Sequence, residues 1–460
     1  MEGSASFGHL HFAAADLGDA RRVDRLIRVA DQLALHPHDT FPKKFHDPAE
    51  LKAFYRLMKQ EAVSHESVLM PHRAETHRRM EAHSGVVLIL HDTTVLDYSG
   101  LKEIEELGQV GDGHGRGYYA HNSLAVAAET RWVFGLASQL LHTRRRVPKG
   151  EKKKQRRGRA DRESRLWKKA SQLIPAAPAG RLWVDVADRG ADITEFLDYQ
   201  EQVGKKYVVR SQHNRRLLRE NQGKSEEVKL HDWARTWAAQ GERTIEVKAR
   251  PGQKGRTVTV GVAWQAVTLR PPRQQRGDER GVPLPVWGVR VWELAPPPGV
   301  EGLEWILLTN VPVTSLQEAC ERVDWYSMRW IIEEYHKGMK TGCDIEAMQF
   351  GYRARLEPAI ALVSVVALTL LQLRDHSRDP QAAQRRAGEV LPLQWVRLLS
   401  RWRHGETRED WTLHDFYFAL ARLGGHQNRK HDHPPGWLVL WRGWTDLQVM
   451  LAGAAAANGD

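Results

Sequence analysis

The sequence predicts an α/β protein in three parts. A helical segment spans 1–70. A mixed core spans 71–375 and carries a β-rich insertion at about 225–315. A second helical segment spans 376–460. Three observations predict this. Apolar residues recur at helical spacing at both ends. Short apolar runs alternate with helical stretches between about 85 and 210. Alternating strand-like runs, separated by Gly/Pro-rich turns, fill the insertion. A length of 460 residues fits about three domains. With 41% hydrophobic and 27% charged residues, the composition is globular and excludes collagen-like or disordered acidic chains. Cys320 and Cys343 are the only cysteines. That leaves no CxxC pair for zinc and no disulfide framework, and it fits a reducing, cytoplasmic compartment.

The elements follow in order. In DLGDARRVDRLIRVADQLALHP, Asp19 is a capping candidate, and Val23, Leu26, Ile27, Ala30, Leu33 and Ala34 recur at helical spacing. Arg21, Arg22 and Arg25 decorate the other faces, where a basic amphipathic helix can meet DNA phosphates. ELKAFYRLMKQ starts another helix. VVLIL (86–90) is a short strand ending at His91-Asp92-Thr93-Thr94. YYAHNSLAVAA and WVFGLASQLL are strand-like, and RESRLWKKASQLI is helical. RLWVDVADRGAD is a strand and turn, ITEFLDYQEQ a helix, KYVVRSQ a strand. The order β-β-β-α-β-α-β is that of a ribonuclease H-like core. TIEVKAR, RTVTVGVAWQAVTL, VWGVRVWEL and EWILLTNVPV form the insertion. Helix then resumes to the end. The longest charge-free apolar run, Pro358 to Leu373, is 16 residues, short of the ~18–20 that span a bilayer. It reads as a buried core helix, with no membrane partner.

The net charge of +11 is concentrated in one place. Residues 144–169 hold 14 bases and three acids, which equals the whole excess, and the rest of the chain balances at 54 against 54. Such a run is the footprint of a polyanion partner, most often nucleic acid.

Two aspartates stand at predicted strand ends, Asp92 in VLILHDTT and Asp188 in WVDVADRGAD. In a ribonuclease H-like sheet those strands are neighbours, and two unpaired carboxylates side by side repel. A divalent cation removes that cost. Near residue 330, Tyr326, Arg329, Glu333 and Lys340 lie at offsets 0, 3, 7 and 14. At ~3.6 residues per turn they share a stripe roughly 60° wide.

The spacing Tyr-x2-Arg-x3-Glu-x6-Lys in YSMRWIIEEYHKGMK, with HDTT and DRGAD upstream, closely resembles the DDE transposases of the insertion-sequence-four family and their YREK signature. LGDARRVDRLIRVADQLA, VVRSQH, EWILLTNVPV, LTLLQLRD and ALARLGGH extend the resemblance nearly end to end. It implies that Asp92, Asp188 and Glu333 are catalytic and hold two Mg²⁺ or Mn²⁺ ions. It implies cut-and-paste transposition: nicking at the transposon end, hairpin formation and opening, then strand transfer. Tyr326, Arg329, Lys340 and Arg210 are implied phosphate contacts, and Trp305 a stacking surface for a flipped base. The implied partners are terminal inverted repeats, target DNA and a second subunit, joined through 376–460. The residues themselves leave two readings open: a nuclease that cuts without joining, and a catalytically silent DNA-binding inhibitor. DRGAD carries Gly190 where an enzyme of that family has an acid, and His91 places a titratable group beside Asp92.

Overall fold

The computed structural model describes the chain except for residues 1–5, 39, 46, 105, 113, 145–149, 151–154, 156–158, 160, 222–223, 248–254, 273–280, 430–431 and 459–460. Half of the basic stretch 144–169 lies outside the described residues.

Among the described residues, one mixed sheet of twelve strands organises the molecule. The strands are β1 (Val87–Asp97), β2 (Gly108–Val110), β3 (Gly115–Ala127), β4 (Val133–His142), β5 (Trp183–Ala187), β6 (Lys206–Arg210), β7 (Arg216–Asn221), β8 (Lys224–Lys229), β9 (Gly241–Val247), β10 (Arg256–Leu269), β11 (Leu284–Glu293) and β12 (Glu304–Thr309). β3 lies antiparallel to β1 and to β4, while β5 lies parallel to β1 and to β6. The spatial order of the central five is therefore β4-β3-β1-β5-β6. Every residue of β5 is buried, as expected of a parallel strand covered on both faces. Alternation sorts neighbours to opposite faces: Val208 and Leu307 join the main apolar cluster, Val209 and Leu308 the second.

The insertion does not form a separate layer. β12 pairs antiparallel with β6, β11 with β12, and β10 with β11, so the sheet continues outward from the core.

At the N-terminus the Ala20–Leu35 helix is capped by Asp19, whose side chain accepts the Arg21 N–H. The boundary expected at residue 70 falls inside the His65–Ala82 helix. That helix buries Val68, Leu69 and Met80, and its His72 and His77 rings meet β4 at Leu136 N and Ala137 O. The 375/376 boundary likewise falls inside the Leu368–Ser377 helix. The apolar stretch Arg353–Ser377 is long enough to cross a membrane by composition alone, but 78% of its apolar window is buried in the protein. It is the core helix that its sequence suggests. The Leu393–His404, Leu413–Leu423 and Trp437–Asn458 helices complete the tail around their own apolar cluster.

Candidate active site

The site sits where β5 stops. In the parallel register His91 faces Ala187, so Asp92 and Asp188 are the next pair along. The expected strand end at Asp92 is corrected by the structure. β1 runs on to Asp97 because β3 pairs with it over its whole length, from Val87↔Ala127 to Asp97↔Gly117. The β5 side of β1 is unpaired beyond His91, and that is what leaves Asp92 on a rim. Asp92 Oδ1 accepts the Thr93 N–H at 2.8 Å. Asp188 caps the short turn Arg189–Ala191, with its Oδ1 accepting the Gly190 N–H at 2.7 Å. A Cβ on Gly190 would lie 2.8 Å from the Trp167 ring. A side chain at this position would have to displace that ring.

The second half of the site comes from far along the chain. One continuous helix was expected to carry the Tyr326–Lys340 stripe. Instead the Leu316–Ser327 helix ends, a turn at Met328–Arg329 intervenes, and the Trp330–Lys337 helix follows before a π-turn at Gly338–Gly342. The break and the wide turn change the angular bookkeeping, yet three of the four side chains still converge. Arg329 Nη2 donates to Glu333 Oε1 at 2.6 Å, and Nη1 stands 3.4 Å from Asp92 Oδ2. The Tyr326 ring meets Trp305 edge-on at 5.2 Å, and its phenol is near enough to Arg210 to act on the guanidinium electrostatically. Lys340 sits apart and pairs with Glu346 at 3.2 Å, toward the Asp97 end of β1.

The electrostatics record crowding of negative charge. Burial, then the nearby Asp188 and Glu333 carboxylates, push the Asp92 carboxyl up to about 6 despite Arg329. Burial alone would lower Arg329, but Tyr326, Asp92 and Glu333 outweigh it and hold the guanidinium above its usual range. The Arg329 Nε is buried without an acceptor among the described residues.

Beneath the rim lies a polar floor. His91 Nε2 stands 3.2 Å from Asp185 Oδ1, and His91 Nδ1 is 2.9 Å from Ser123 Oγ. Burial would raise Asp185, but His91, Lys205 and Ser171 together hold it below the usual carboxylate range. His336, one turn past Glu333, lies 3.0 Å from Asn122, which faces Asp92 across the β1–β3 pair. This floor ties β1, β5 and the Glu333 helix together. Sequence reasoning set these two strands side by side but did not pair His91 with Asp185, because only the strand-end carboxylates stood out.

The donor set is made of carboxylate oxygens, which suit hard cations such as Mg²⁺ or Mn²⁺. The raised Asp92 carboxyl is what a divalent ion would relieve, and Arg329 already supplies a positive charge at that spot. Among the described residues no three His, Cys, Asp or Glu side chains close around one ion as they stand. Arg329 bridges Asp92 and Glu333 instead. The residues fit such ions in charge and chemistry, and taking one up requires the guanidinium to move aside.

The remaining candidates are placed as follows. Arg21 is bound to Asp19 at 2.9 Å, with its side chain 90% exposed. Arg22 donates to the Leu17 carbonyl at 2.8 Å, and Arg25 pairs with Glu50 of the Pro48–Leu57 helix. Arg210 lies at the end of β6 and donates to the Glu304 carbonyl at 3.0 Å. Residues 4–63 match the family model described as transposase DNA-binding. The chain thus carries the DNA-binding region of a transposase at its N-terminus, joined to a mixed α/β body.

Proposed function

We propose that the protein is a DDE transposase of the insertion-sequence-four type with a ribonuclease H-like core, which excises and inserts DNA by cut and paste. Three observations support it. The order β4-β3-β1-β5-β6, with β1, β5 and β6 parallel, suits that core. The match over 4–63 is to the DNA-binding region of a transposase. The observation that carries the reading is the Arg329 bridge: one guanidinium, 237 positions along the chain from Asp92, joins Asp92 to Glu333 beside Asp188.

Asp92, Asp188 and Glu333 would hold two Mg²⁺ or Mn²⁺ ions, which when bound supply Lewis-acid activation of the attacking and leaving oxygens in an in-line phosphoryl displacement. The chain's own groups bind and orient the DNA. Arg329, released from Asp92, offers its fork and its unpartnered Nε to phosphate oxygens. Tyr326, Arg210 and Lys340 contact neighbouring phosphates. Trp305, half-buried against Tyr326, presents a ring on which an unstacked base can rest. The partners are terminal inverted repeats, target DNA and a second copy of the chain. Val390, Leu393, Trp402 and Val449 are exposed apolar side chains in the C-terminal segment, available for that pairing.

The test is incubation of the purified protein with Mg²⁺ and DNA carrying the ends that flank its gene. Hairpin and joined products are expected from wild type and not from Glu333→Ala. Cutting without joining would replace the proposal with a nuclease, and binding without products would leave a DNA-binding inhibitor.

A further inference from the structure

A cavity of about 230 Å³ opens beside the catalytic rim, lined by Arg189, Arg210, Gln212, His231, Arg235 and Glu304 among others. It lies where the ends of β5 and β6 meet the start of β12. β5 and β6 are parallel, so the turn after Asp188 and the end of β6 share one sheet edge. β12 begins beside them because it is antiparallel to β6. His231 and Arg235, at the Leu230–Ala234 helix, come from the insertion, so core and insertion each build half of the wall.

The walls are held by the protein itself. His231 Nε2 is 2.9 Å from Ser211 Oγ, and the His231 N–H donates to Asn214 at 2.8 Å. The Gln212 N–H donates to the buried Asp192 at 2.7 Å. Glu304 is gripped twice, by Arg235 at 2.7 Å and by Arg290 at 2.9 Å. Arg189, Arg210 and Arg235 therefore face one carboxylate that is already neutralised. Arg189 makes no ion pair among the described residues. Burial, and then the like charges of Arg189 and Arg329, lower Arg210 against the help of Tyr326. Like charges gathered around a hollow are stabilised by an anion inside it. At ~30 Å³ per water, the hollow holds the volume of roughly seven waters, enough for a phosphate with part of its sugar.

We propose that this cavity is a second phosphate site, which grips a backbone phosphodiester of the DNA strand leaving the catalytic carboxylates. The insertion then serves as one jaw of that grip. The inference rests on the DNA-processing function proposed above. It extends that function to a site on the far side of β12 from Trp305, since Glu304 and Ile306 alternate with Trp305 along the strand.

The test uses the full chain and a duplex carrying the flanking end, with single methylphosphonates placed one by one to neutralise each phosphate. Wild type is expected to lose about tenfold in affinity at one or two positions outside the cleavage point. Arg189→Ala with Arg235→Ala is expected to bind unmodified DNA about tenfold more weakly. Its salt dependence should be shallower by about one unit in log K against log salt, and neutralising those positions should cost it nothing further. Arg290 still holds Glu304 in that variant, and Arg189→Ala alone alters only an exposed turn residue and should show part of the effect. If wild type binds and cuts DNA while both variants keep wild-type affinity and salt slope, the second site is overturned and the proposed function stands. Methylphosphonate losses that simply add to those of the variant also overturn it. A wild type that neither binds nor cuts overturns both.

Discussion

Replacing Asp92 with Asn should make the metal-free protein more stable at neutral pH, because the site holds a carboxylate where it is least comfortable. Asp92 takes its proton near pH 6 in the native protein, against an ordinary 3.8. At ~1.4 kcal/mol per pH unit, keeping it ionised costs the fold roughly 3 kcal/mol. Its side chain is 19% exposed, so solvent and relaxation reduce this to about 1–3 kcal/mol. The asparagine keeps the shape and removes the charge. The sign follows from proton uptake. Between pH 4 and 6 the native state binds more protons than the unfolded chain, so wild-type stability rises as pH falls through that window. The advantage of Asp92→Asn is full above pH 6 and gone below pH 4. Thermal unfolding at pH 7.5 and 3.5 measures it, with an expected gain on the order of 1–3 °C at pH 7.5 and almost none at pH 3.5. An asparagine variant no more stable than wild type at pH 7.5, or equally favoured at both pH values, would refute the crowding of Asp92, Asp188 and Glu333.

Other perturbations have defined outcomes. Leu362→Ala, at a fully buried position of the Arg353–Val366 helix, should cost about 2–5 kcal/mol in urea unfolding. Gly443→Ala places a Cβ 1.8 Å from the Leu420 carbonyl, where the Leu413–Leu423 and Trp437–Asn458 helices touch. It should cost about 1–3 kcal/mol and lower the protease resistance of the C-terminal helices. Arg374→Met strips the nearly buried Asp375 and the partly exposed Glu334 of their shared cation and should cost about 2–4 kcal/mol by chemical denaturation, mostly through Asp375. Arg25→Ala breaks a half-exposed pair with Glu50 and should change stability by less than about 1 kcal/mol.

Much of the core was legible because its strands carry their own signals. VVLIL, YYAHNSLAVAA, WVDVA and KYVVR each read as strand, and the adjacency of Asp92 and Asp188 followed from their order. The length of β1 was not legible. His91-Asp92-Thr93-Thr94 looks like a turn, and only the partner β3 makes it strand. The helix break at Met328–Arg329 has no Gly or Pro to announce it, so a single stripe was the natural expectation. The break lets Arg329 face both Asp92 and Glu333. The strands of the insertion were visible one by one. Their joining to β6 through β12, and hence the cavity shared by Arg189 and Arg235, depends on pairing across nearly a hundred residues. The signal that could have pointed to Arg189 is its place directly after Asp188.

In the proposed function Glu333, not its neighbour Glu334, completes a catalytic carboxylate set with Asp92 and Asp188. Glu333 is held to the site by Arg329, whereas Glu334 turns away to Arg374. The most direct measurement compares Glu333→Ala and Glu334→Ala in Mg²⁺-dependent strand transfer of end-bearing DNA. The account predicts that Glu333→Ala loses product by at least about a thousandfold, which corresponds to roughly 4 kcal/mol of transition-state stabilisation, while Glu334→Ala retains it. Retained joining by Glu333→Ala would contradict the account.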